Sequence, residues 1–339
     1  MGLNMPQLLK KISSFKTLYC AALISALPFV SHAQDTQEPS AKIIFGSASN
    51  PSATSHGVFG SYAKGCLGGG VALPVDGENW QAMRLSRNRN WGHPALIDYL
   101  KKLSNAAATN ANWRGLLVGD LSQPRGGPML TGHRSHQIGL DADIWLTEMP
   151  DRRLSYQERE ETSAVSVLKN GTRTINQEIW REEHYKLLKT AASFDEVARI
   201  FVFPAIKAQL CKASTKKDSP WLRKIRPWYG HHYHFHVRLK CPEGQEKCIN
   251  QAPPPAGAGC GKELAWWLSD EPWKPKEPKK TDDSKPKPKP QILTVAGLPK
   301  SCTAVVYAPD GPQDLTKAPY GLVKEGFDNL TLPERRPAQ

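Results

Sequence analysis

The chain contains 339 residues, of which 39% are hydrophobic and 23% are charged, and its net charge at pH 7 is +13. This length allows one large domain or two ordinary ones, at roughly 100–200 residues per domain. Because only one apolar run resembles a membrane span and no repeat of about 20–50 residues occurs, polytopic membrane proteins, solenoids and propellers are excluded. The positive charge favours polyanionic partners but does not say which polyanion.

The N-terminus has the pattern of a secretory signal peptide. Residues 10–16 carry three lysines, residues 17–30 form an apolar run too short to span a bilayer, and residues 31–33 supply small side chains before a cleavage site. Cys20 lies in the apolar run, but the large residues before it do not fit a lipoprotein signal. We therefore predict cleavage after Ala33 and export, with no integral membrane segment left in the mature chain.

Four regions follow this signal peptide. Residues 34–56 are polar and predict a flexible lead-in, whereas residues 57–271 have the composition of a globular domain. Lysine and proline dominate residues 272–291, which predicts an extended linker rather than a folded element. Residues 292–339 are too few for an independent domain, and we expect Cys302 to tether them to the main body.

The hydrophobic pattern of the globular region predicts a mixture of helices and strands. Apolar residues recur at helical spacing from about residue 94 to 108, and residues 115–119 are typical of a short buried strand. Helical spacing returns in residues 183–192 and 194–210, where a strand at 200–203 interrupts it. We expect an α+β domain with a small antiparallel sheet, surrounding helices and loops pinned by disulfides.

Six of the seven cysteines lie after the predicted cleavage site. An even number of cysteines in an exported protein predicts three disulfides, for which about fifteen connectivities are possible. Cys241 and Cys248 flank a short polar loop and are the easiest pair to close. A zinc site ligated by cysteines is the alternative, but the sequence contains no C-x-x-C pair.

Histidine carries the clearest chemical signal. Of the nine histidines after the cleavage site, six lie in residues 133–136 and 231–236. The alternating H-x-H-x-H of the second segment predicts a β-strand with His232, His234 and His236 on one face, about 6.6 Å apart from one to the next. Two of these side chains could then bind one metal ion.

A second alternating segment supplies carboxylates. Asp141 and Asp143 share one face of a predicted strand, and His136 precedes that strand by a turn containing a glycine. Two histidines and a carboxylate leave one tetrahedral position open, which is typical of catalytic rather than structural zinc, and zinc lowers the pKa of a bound water to about 7. The alternative is a histidine-rich surface that responds to pH or buffers metal ions.

These motifs resemble those of a known enzyme group. Residues 135–143 and 234–236 resemble the H-x6-D and H-x-H motifs of the LAS group of zinc metallopeptidases, which includes the hedgehog zinc fold. With the segments 201–211, 221–239 and 241–248, they resemble more narrowly the penicillin-insensitive murein endopeptidase family of bacterial envelopes. The resemblance covers most of the globular region.

The resemblance implies a role for individual residues. It implies that His136, Asp143 and His236 bind the catalytic zinc ion. It also implies that His234 activates water or stabilises the oxyanion, and that His231 is a further active-site histidine.

A second metal and the disulfide pairing are also implied by the resemblance. His133 matches a position associated with a second metal, and His184 is the nearest equivalent of that metal's other histidine ligand. Arg181 stands where the family has an aspartate, so the second site departs from the family pattern. The implied disulfides are Cys66–Cys302, Cys211–Cys260 and Cys241–Cys248.

The family's activity predicts the function. We expect a zinc-dependent endopeptidase of the periplasm that hydrolyses D-alanyl–meso-diaminopimelyl cross-links of peptidoglycan with metal-activated water. The partner is then peptidoglycan and not nucleic acid. A D,D- or L,D-carboxypeptidase of the same group and a non-catalytic zinc scaffold or envelope-binding protein are the alternatives.

Overall fold

The computed structural model describes residues 38–275 and 291–311. The predicted signal peptide, most of the predicted linker and residues 312–339 lie outside the described residues. Within the described ranges, no helix is long and apolar enough to cross a membrane.

The described part of the chain combines helices and strands, which confirms the predicted α+β class. The α-helices are α1 (Ala41–Gly46), α2 (Pro94–Asn110), α3 (Tyr156–Glu161), α4 (Glu182–Ser193), α5 (Pro204–Ala213), α6 (Ser219–Lys224), α7 (Lys262–Leu268) and α8 (Ser301–Tyr307). The strands are β1 (Gly57–Ser61), β2 (Lys64–Gly68), β3 (Val71–Ala72), β4 (Asp76–Gly77), β5 (Trp80–Ala82), β6 (Trp91–Gly92), β7 (Leu116–Val118), β8 (Asp141–Glu148), β9 (Val197–Val202), β10 (Ile225–Pro227) and β11 (His234–Leu239).

The main sheet has seven strands in the order β10-β9-β11-β8-β7-β5-β4. Its centre is antiparallel, since β11 pairs with both β8 and β9, and β8 pairs with β7. The pairs β9–β10 and β5–β7 are parallel, so the sheet is larger than predicted and mixed. The reason is the connections, because α5 and α6 lie between β9 and β10, α2 lies between β5 and β7, and helical crossovers return the chain in the same direction.

One face of β8 belongs to the hydrophobic core. Ala142 and Ile144 of β8, with Leu140 just before the strand, are fully buried in the same cluster as the apolar face of α2. The helix α2 begins at Pro94, and His93 Nδ1 accepts a hydrogen bond from the N–H of Ala95 at 3.2 Å. Because side chains alternate along a strand, this core fixes Asp141 and Asp143 on the other face.

The N-terminal lead-in is more ordered than its composition predicts. Residues 41–46 form α1, and its Ala41 and Phe45 are buried in a small cluster with Cys66, Cys302 and Val305. This short apolar run is flanked by polar residues on both sides, so the segment as a whole has a polar composition. That run finds a partner only when the chain around Cys302 folds back onto β2.

Three disulfides pin the loops, and they are the pairs that the resemblance implies: Cys66–Cys302, Cys211–Cys260 and Cys241–Cys248. The first joins α8 to β2 across 236 residues of sequence. The others close shorter loops of 49 and 7 residues.

Candidate metal centre and active site

Three side chains meet above the polar face of the sheet, and we call His136, Asp143 and His236 the ligand triad. Asp143 on β8 and His236 on β11 are direct cross-strand partners. Side chains of directly paired antiparallel residues lie on the same face, within contact distance. His136 comes from the turn before β8, where its backbone has a φ of 67°. A left-handed conformation is uncommon for a residue other than glycine, and such residues concentrate at functional sites.

The donor atoms of the triad form a nearly equilateral triangle. His136 Nε2 lies 3.2 Å from His236 Nδ1 and 3.4 Å from Asp143 Oδ1, and the third side, from His236 Nδ1 to Asp143 Oδ1, is 3.2 Å. Tetrahedral zinc with bonds of about 2.0–2.1 Å holds its donor atoms roughly 3.3–3.4 Å apart. Asp143 Oδ1 is buried and has no hydrogen-bond partner among the described residues. The triad therefore fits a divalent metal ion.

A hydrogen bond sets the orientation of His136. Its Nδ1–H donates to the carbonyl oxygen of Leu121 at 2.5 Å, so the lone pair of Nε2 faces the triad. Its backbone N–H donates to Asp141 Oδ2 at 3.0 Å, which holds the turn against β8. Fixing a ligand histidine through its second nitrogen is the usual way in which proteins select its tautomer.

Asp141 sets the orientation of His236, and sequence reasoning did not assign it a role. Its Oδ1 lies 3.1 Å from His236 Nε2, which favours the hydrogen on that nitrogen and leaves Nδ1 for the triad. The guanidinium of Arg238 donates to both oxygens, at 2.8 and 3.1 Å. Although burial by itself raises the pKa of the Asp141 carboxyl, Arg238 and His236 hold it well below its usual value. The signal was present in the alternation, since Arg238 follows His236 by two residues and pairs with Asp141 across the strands.

His234 and His231 lie beside the triad. His234 Nε2 is 3.7 Å from Asp143 Oδ1, and the ring of His231 lies 4.9 Å from that of His234. Burial lowers the pKa of His234 and, together with the neighbouring histidines, lowers the pKa of His231 to about 3. Both imidazoles are therefore neutral at pH 7. His231 Nδ1–H donates to the carbonyl oxygen of Tyr229, which orients the ring.

His232 does not share their face, contrary to the alternation argument. The strand β11 begins at His234, so the two-residue period does not extend to residue 232. Gly230 precedes it with a φ of 72° and turns the chain. His232 Nδ1 instead lies 2.9 Å from Ser166 Oγ.

His133 lies at the edge of the triad. Its Nδ1 is 3.5 Å from Asp143 Oδ2, and its Nε2 is 3.0 Å from Asp120 Oδ2. His133, His136 and Asp143 also form a possible metal-binding group, with ligand atoms within 4.8 Å of one another. The donor atoms of the triad with His236 lie closer together and its residues are buried, whereas the side chain of His133 is 25% exposed. His136 and Asp143 belong to both groups, which differ in whether His236 or His133 is the third member.

His184 lies away from the triad, and the structure does not support its assignment as a ligand. Its Nε2–H donates to the carbonyl oxygen of Leu146 at 3.1 Å, and its Nδ1 accepts from the N–H of Arg181 at 3.1 Å. The ring stacks on Trp180, with centroids 5.0 Å apart. Because one nitrogen is bonded to the backbone at the start of α4 and the other to the backbone of β8, His184 is a buried structural residue.

An open cleft of about 300 Å³ leads to this centre. The residues that line it include Asp143, His133 and His234 from the centre, with Tyr233 and Trp145 beside them. Two arginines from a distant part of the chain, Arg84 and Arg87, complete its wall.

Comparison with known proteins identifies the family. A family model described as penicillin-insensitive murein endopeptidase matches residues 58–307, which is most of the chain. The chain belongs to this family. The matched range contains the ligand triad, His234, His231 and all six disulfide cysteines.

Several bacterial proteins named penicillin-insensitive murein endopeptidase are similar to the chain. The protein of Haemophilus influenzae is 47% identical over 232 residues, which is 68% of this chain and 77% of the relative. That of Pectobacterium atrosepticum is 40% identical over 247 residues, or 73% of this chain and 83% of the relative. That of Escherichia coli K12 is 40% identical over 248 residues, or 73% and 85%. As a member of this endopeptidase family the chain is a peptidase, and its histidine–aspartate cluster is the group that can hold a metal.

Proposed function

We propose that the protein is a zinc-dependent murein endopeptidase that hydrolyses D-alanyl–meso-diaminopimelyl cross-links of peptidoglycan in the periplasm. The relatives' names support the substrate. The triangle of donor atoms with sides of 3.2, 3.4 and 3.2 Å supports the metal and carries the proposal.

Zinc would be held by His136 Nε2, Asp143 Oδ1 and His236 Nδ1. Two imidazole nitrogens and one carboxylate oxygen suit zinc, and three protein ligands leave a position open for a water or substrate. When bound, the ion would supply Lewis-acid polarisation of the scissile carbonyl and would lower the pKa of the attacking water. Since His133 lies at the edge of the triad and His184 is bonded to the backbone, we propose one metal ion per site.

His234 would carry the proton. Burial keeps its imidazole neutral at pH 7, so Nε2 can accept the proton of the attacking water and return it to the leaving amine. Its Nε2 lies 3.7 Å from Asp143 Oδ1, so it would lie beside the carbonyl of a substrate bound at the triad. His231 lies beside His234. Its imidazole is neutral and is oriented by the carbonyl oxygen of Tyr229.

Digestion of purified sacculi tests the proposal. The mature protein is incubated with sacculi, with and without a chelator, and the products are identified by mass. An endopeptidase converts cross-linked muropeptide dimers into monomers, and the chelator stops the conversion. Release of free D-alanine with the dimers intact would instead establish a carboxypeptidase, and the absence of any new product would favour a zinc scaffold.

The periplasmic location is supported by the substrate and by the sequence of residues 1–33, which lie outside the described residues. The mass of the protein recovered from the periplasm tests it. Cleavage after Ala33 gives a chain that begins at Gln34. An uncleaved chain recovered from the cytoplasm would contradict the predicted export.

A further inference from the structure

The two arginines of the cleft belong to an unusual turn. Leu85–Arg87 form one turn of 3₁₀-helix, and the residues on both sides, Arg84 and Asn88, have left-handed backbones with φ values of 57° and 51°. Such a conformation is uncommon for a residue other than glycine, and it persists only where the surroundings impose it. The turn is thus held in a shape that the local sequence alone does not favour.

Hydrogen bonds with neighbouring side chains hold the turn in this conformation. Both the N–H and the hydroxyl of Ser86 donate to the carboxylate of Glu160, at 2.9 and 2.7 Å. The indole N–H of Trp91 donates to Asn88 Oδ1 at 2.6 Å. Side-chain anchors inside the turn and at its end therefore fix the position from which the arginines project.

Arg84 is itself held in place. Its Nη2 donates to the carbonyl oxygen of Thr162 at 2.9 Å, and its guanidinium lies 5.7 Å from the ring centroid of Trp145. Trp145 lines the cleft with it. Stacking on an aromatic ring leaves the guanidinium charge in place while fixing its plane.

Arg87 and Arg89 both contact Asp120, but they differ in how many guanidinium N–H groups have a hydrogen-bond partner among the described residues. Arg89 Nη1 donates to Asp120 at 2.9 Å and its Nη2 to the carbonyl oxygen of Thr131 at 3.1 Å, and its side chain is 10% exposed. Arg87 uses Nη1 for Asp120, at 3.1 and 3.3 Å, and is 48% exposed. Within the described part of the chain, no other hydrogen bond of the Arg87 guanidinium is found. Of the two arginines, Arg87 lines the cleft and Arg89 does not.

Both carboxylates that line the cleft, Asp120 and Asp143, are already engaged, since Asp143 belongs to the ligand triad. The one carboxylate of Asp120 is shared by Arg87, Arg89 and His133. Arg84 adds a further positive charge to the cleft. An anionic group entering the cleft would meet the unused donors of Arg87 in a fixed fork, which matches the geometry of a carboxylate.

We infer that Arg87, supported by Arg84, binds the free α-carboxylate on the carbon that bears the scissile nitrogen of the substrate. This inference rests on the proposed function. His234, which returns the proton to that nitrogen, lines the same cleft as the two arginines. In a peptidoglycan cross-link this carboxylate belongs to meso-diaminopimelate, and in a carboxypeptidase substrate it belongs to the terminal D-alanine.

Matched substrates test the inference. Cross-linked muropeptide dimers are prepared with this carboxylate either free or amidated, and kcat/KM is measured for the wild type and for Arg87→Gln. We expect the wild type to prefer the free acid by roughly 10- to 100-fold, since a hydrogen bond to a charged group contributes about 1.5–3 kcal/mol. Arg87→Gln should lose that preference, because its kcat/KM should fall much further with the acid dimer than with the amidated dimer.

Arg89→Gln is the matched control, because it also removes a partner of Asp120. If Arg87 acted only through Asp120 and His133, both variants would lower the hydrolysis of the two substrates by the same factor. The inference predicts that Arg89→Gln keeps the preference for the acid. Retention of the wild-type preference by Arg87→Gln, or an equal loss with both substrates, would overturn it.

A binding measurement separates recognition from turnover. In a His234→Ala background, which should bind without cleaving, the acid dimer should bind roughly 10-fold or more tighter than the amide, and adding Arg87→Gln should abolish the difference. A monomer ending in D-alanine, as acid and as amide, distinguishes the two sources of the carboxylate. Failure of the wild type to cleave any dimer would refute the proposed function, whereas cleavage without preference for the acid would refute this inference alone.

Discussion

Asp141 contacts both histidines of the ligand triad although it is not itself part of the triad. It accepts from the backbone of His136, lies 3.1 Å from His236 Nε2, and is held by Arg238 at 2.8 Å. Its carboxylate is fully buried, so its geometry is set by these partners and not by solvent. Removing its charge should disturb the orientation of both imidazoles.

We therefore predict that Asp141→Asn weakens metal binding by roughly 10- to 100-fold, the usual effect of losing such an outer partner. Competition with a chromogenic chelator measures the affinity. Asp76→Asn is the control, because the side chain of Asp76 is only 6% exposed and also pairs with an arginine, Arg159 at 2.7 Å, away from the triad. It should reduce stability yet leave the affinity unchanged, and equal affinity in both variants would contradict the role of Asp141.

Variants of the ligand triad and of His234 should differ in their effects on metal binding. His234→Ala should retain the metal at wild-type occupancy and lose at least about 100-fold in kcat, because general acid–base catalysis contributes roughly 10²–10⁴-fold. Asp143→Ala should lose metal and activity together, because it removes a donor atom. Elemental analysis of the metal content and activity assays on the same samples test both predictions. Loss of metal in His234→Ala would show that the two roles are assigned wrongly.

At the scale of elements, the register of β8 and β11 makes the site. His236 pairs with Asp143, and Arg238 pairs with Asp141, so ligand and orienting residue alternate along both strands. A slip of one residue would turn every one of these side chains into the core. The buried residues Ala142, Ile144, Phe235 and Val237 on the opposite face resist such a slip.

The disulfides differ in what they should contribute to stability. Replacing Cys66 and Cys302 with serine should lower the free energy of unfolding by about 2–5 kcal/mol, because that bond closes the longest loop. Serines at Cys241 and Cys248, which close a loop of 7 residues, should cost less. Urea unfolding of the two double variants measures the difference, and a larger loss for the short loop would contradict this order.

At the scale of the whole molecule, a buried lysine links stability to pH. Lys207 on α5 is fully buried, and its Nζ donates to the carbonyl oxygens of Leu222 and Ala258, both at 2.6 Å. Burial, with the nearby Arg226, lowers its pKa from 10.5 to about 7. Since this pKa is lower in the folded than in the unfolded state, the unfolded chain binds more protons between these two values.

Stability should therefore rise with pH from about 7 towards 10, and the contribution of Lys207 should be lost below pH 7. Lys207→Met removes this titration, so the pH dependence of its free energy of unfolding should be flatter over that window. Its absolute stability can differ, because two carbonyl groups lose their donor. Chemical unfolding at several pH values gives both slopes, and equal slopes would contradict the lowered pKa.

Local patterns determined much of the fold and the centre of the site. The helical spacing after Pro94, the buried strand at 116–118 and the alternation of acids and histidines depend only on neighbours in sequence, and these elements formed as expected. The pairing of His236 with Asp143 follows from two amphipathic strands that must bury the same kind of face.

Only the tertiary structure decided the rest. Arg84, Arg87 and Asp120 line the cleft, although they come from segments without a local motif. His184 does not join them, because it is hydrogen-bonded to the backbone at the start of α4. The sequence determined which residues alternate and which cysteines lie outside the predicted signal peptide, because those properties are local. Which distant side chains share one cleft, and which histidine nitrogens stay free, depends on long-range packing and hydrogen bonding that no short pattern contains.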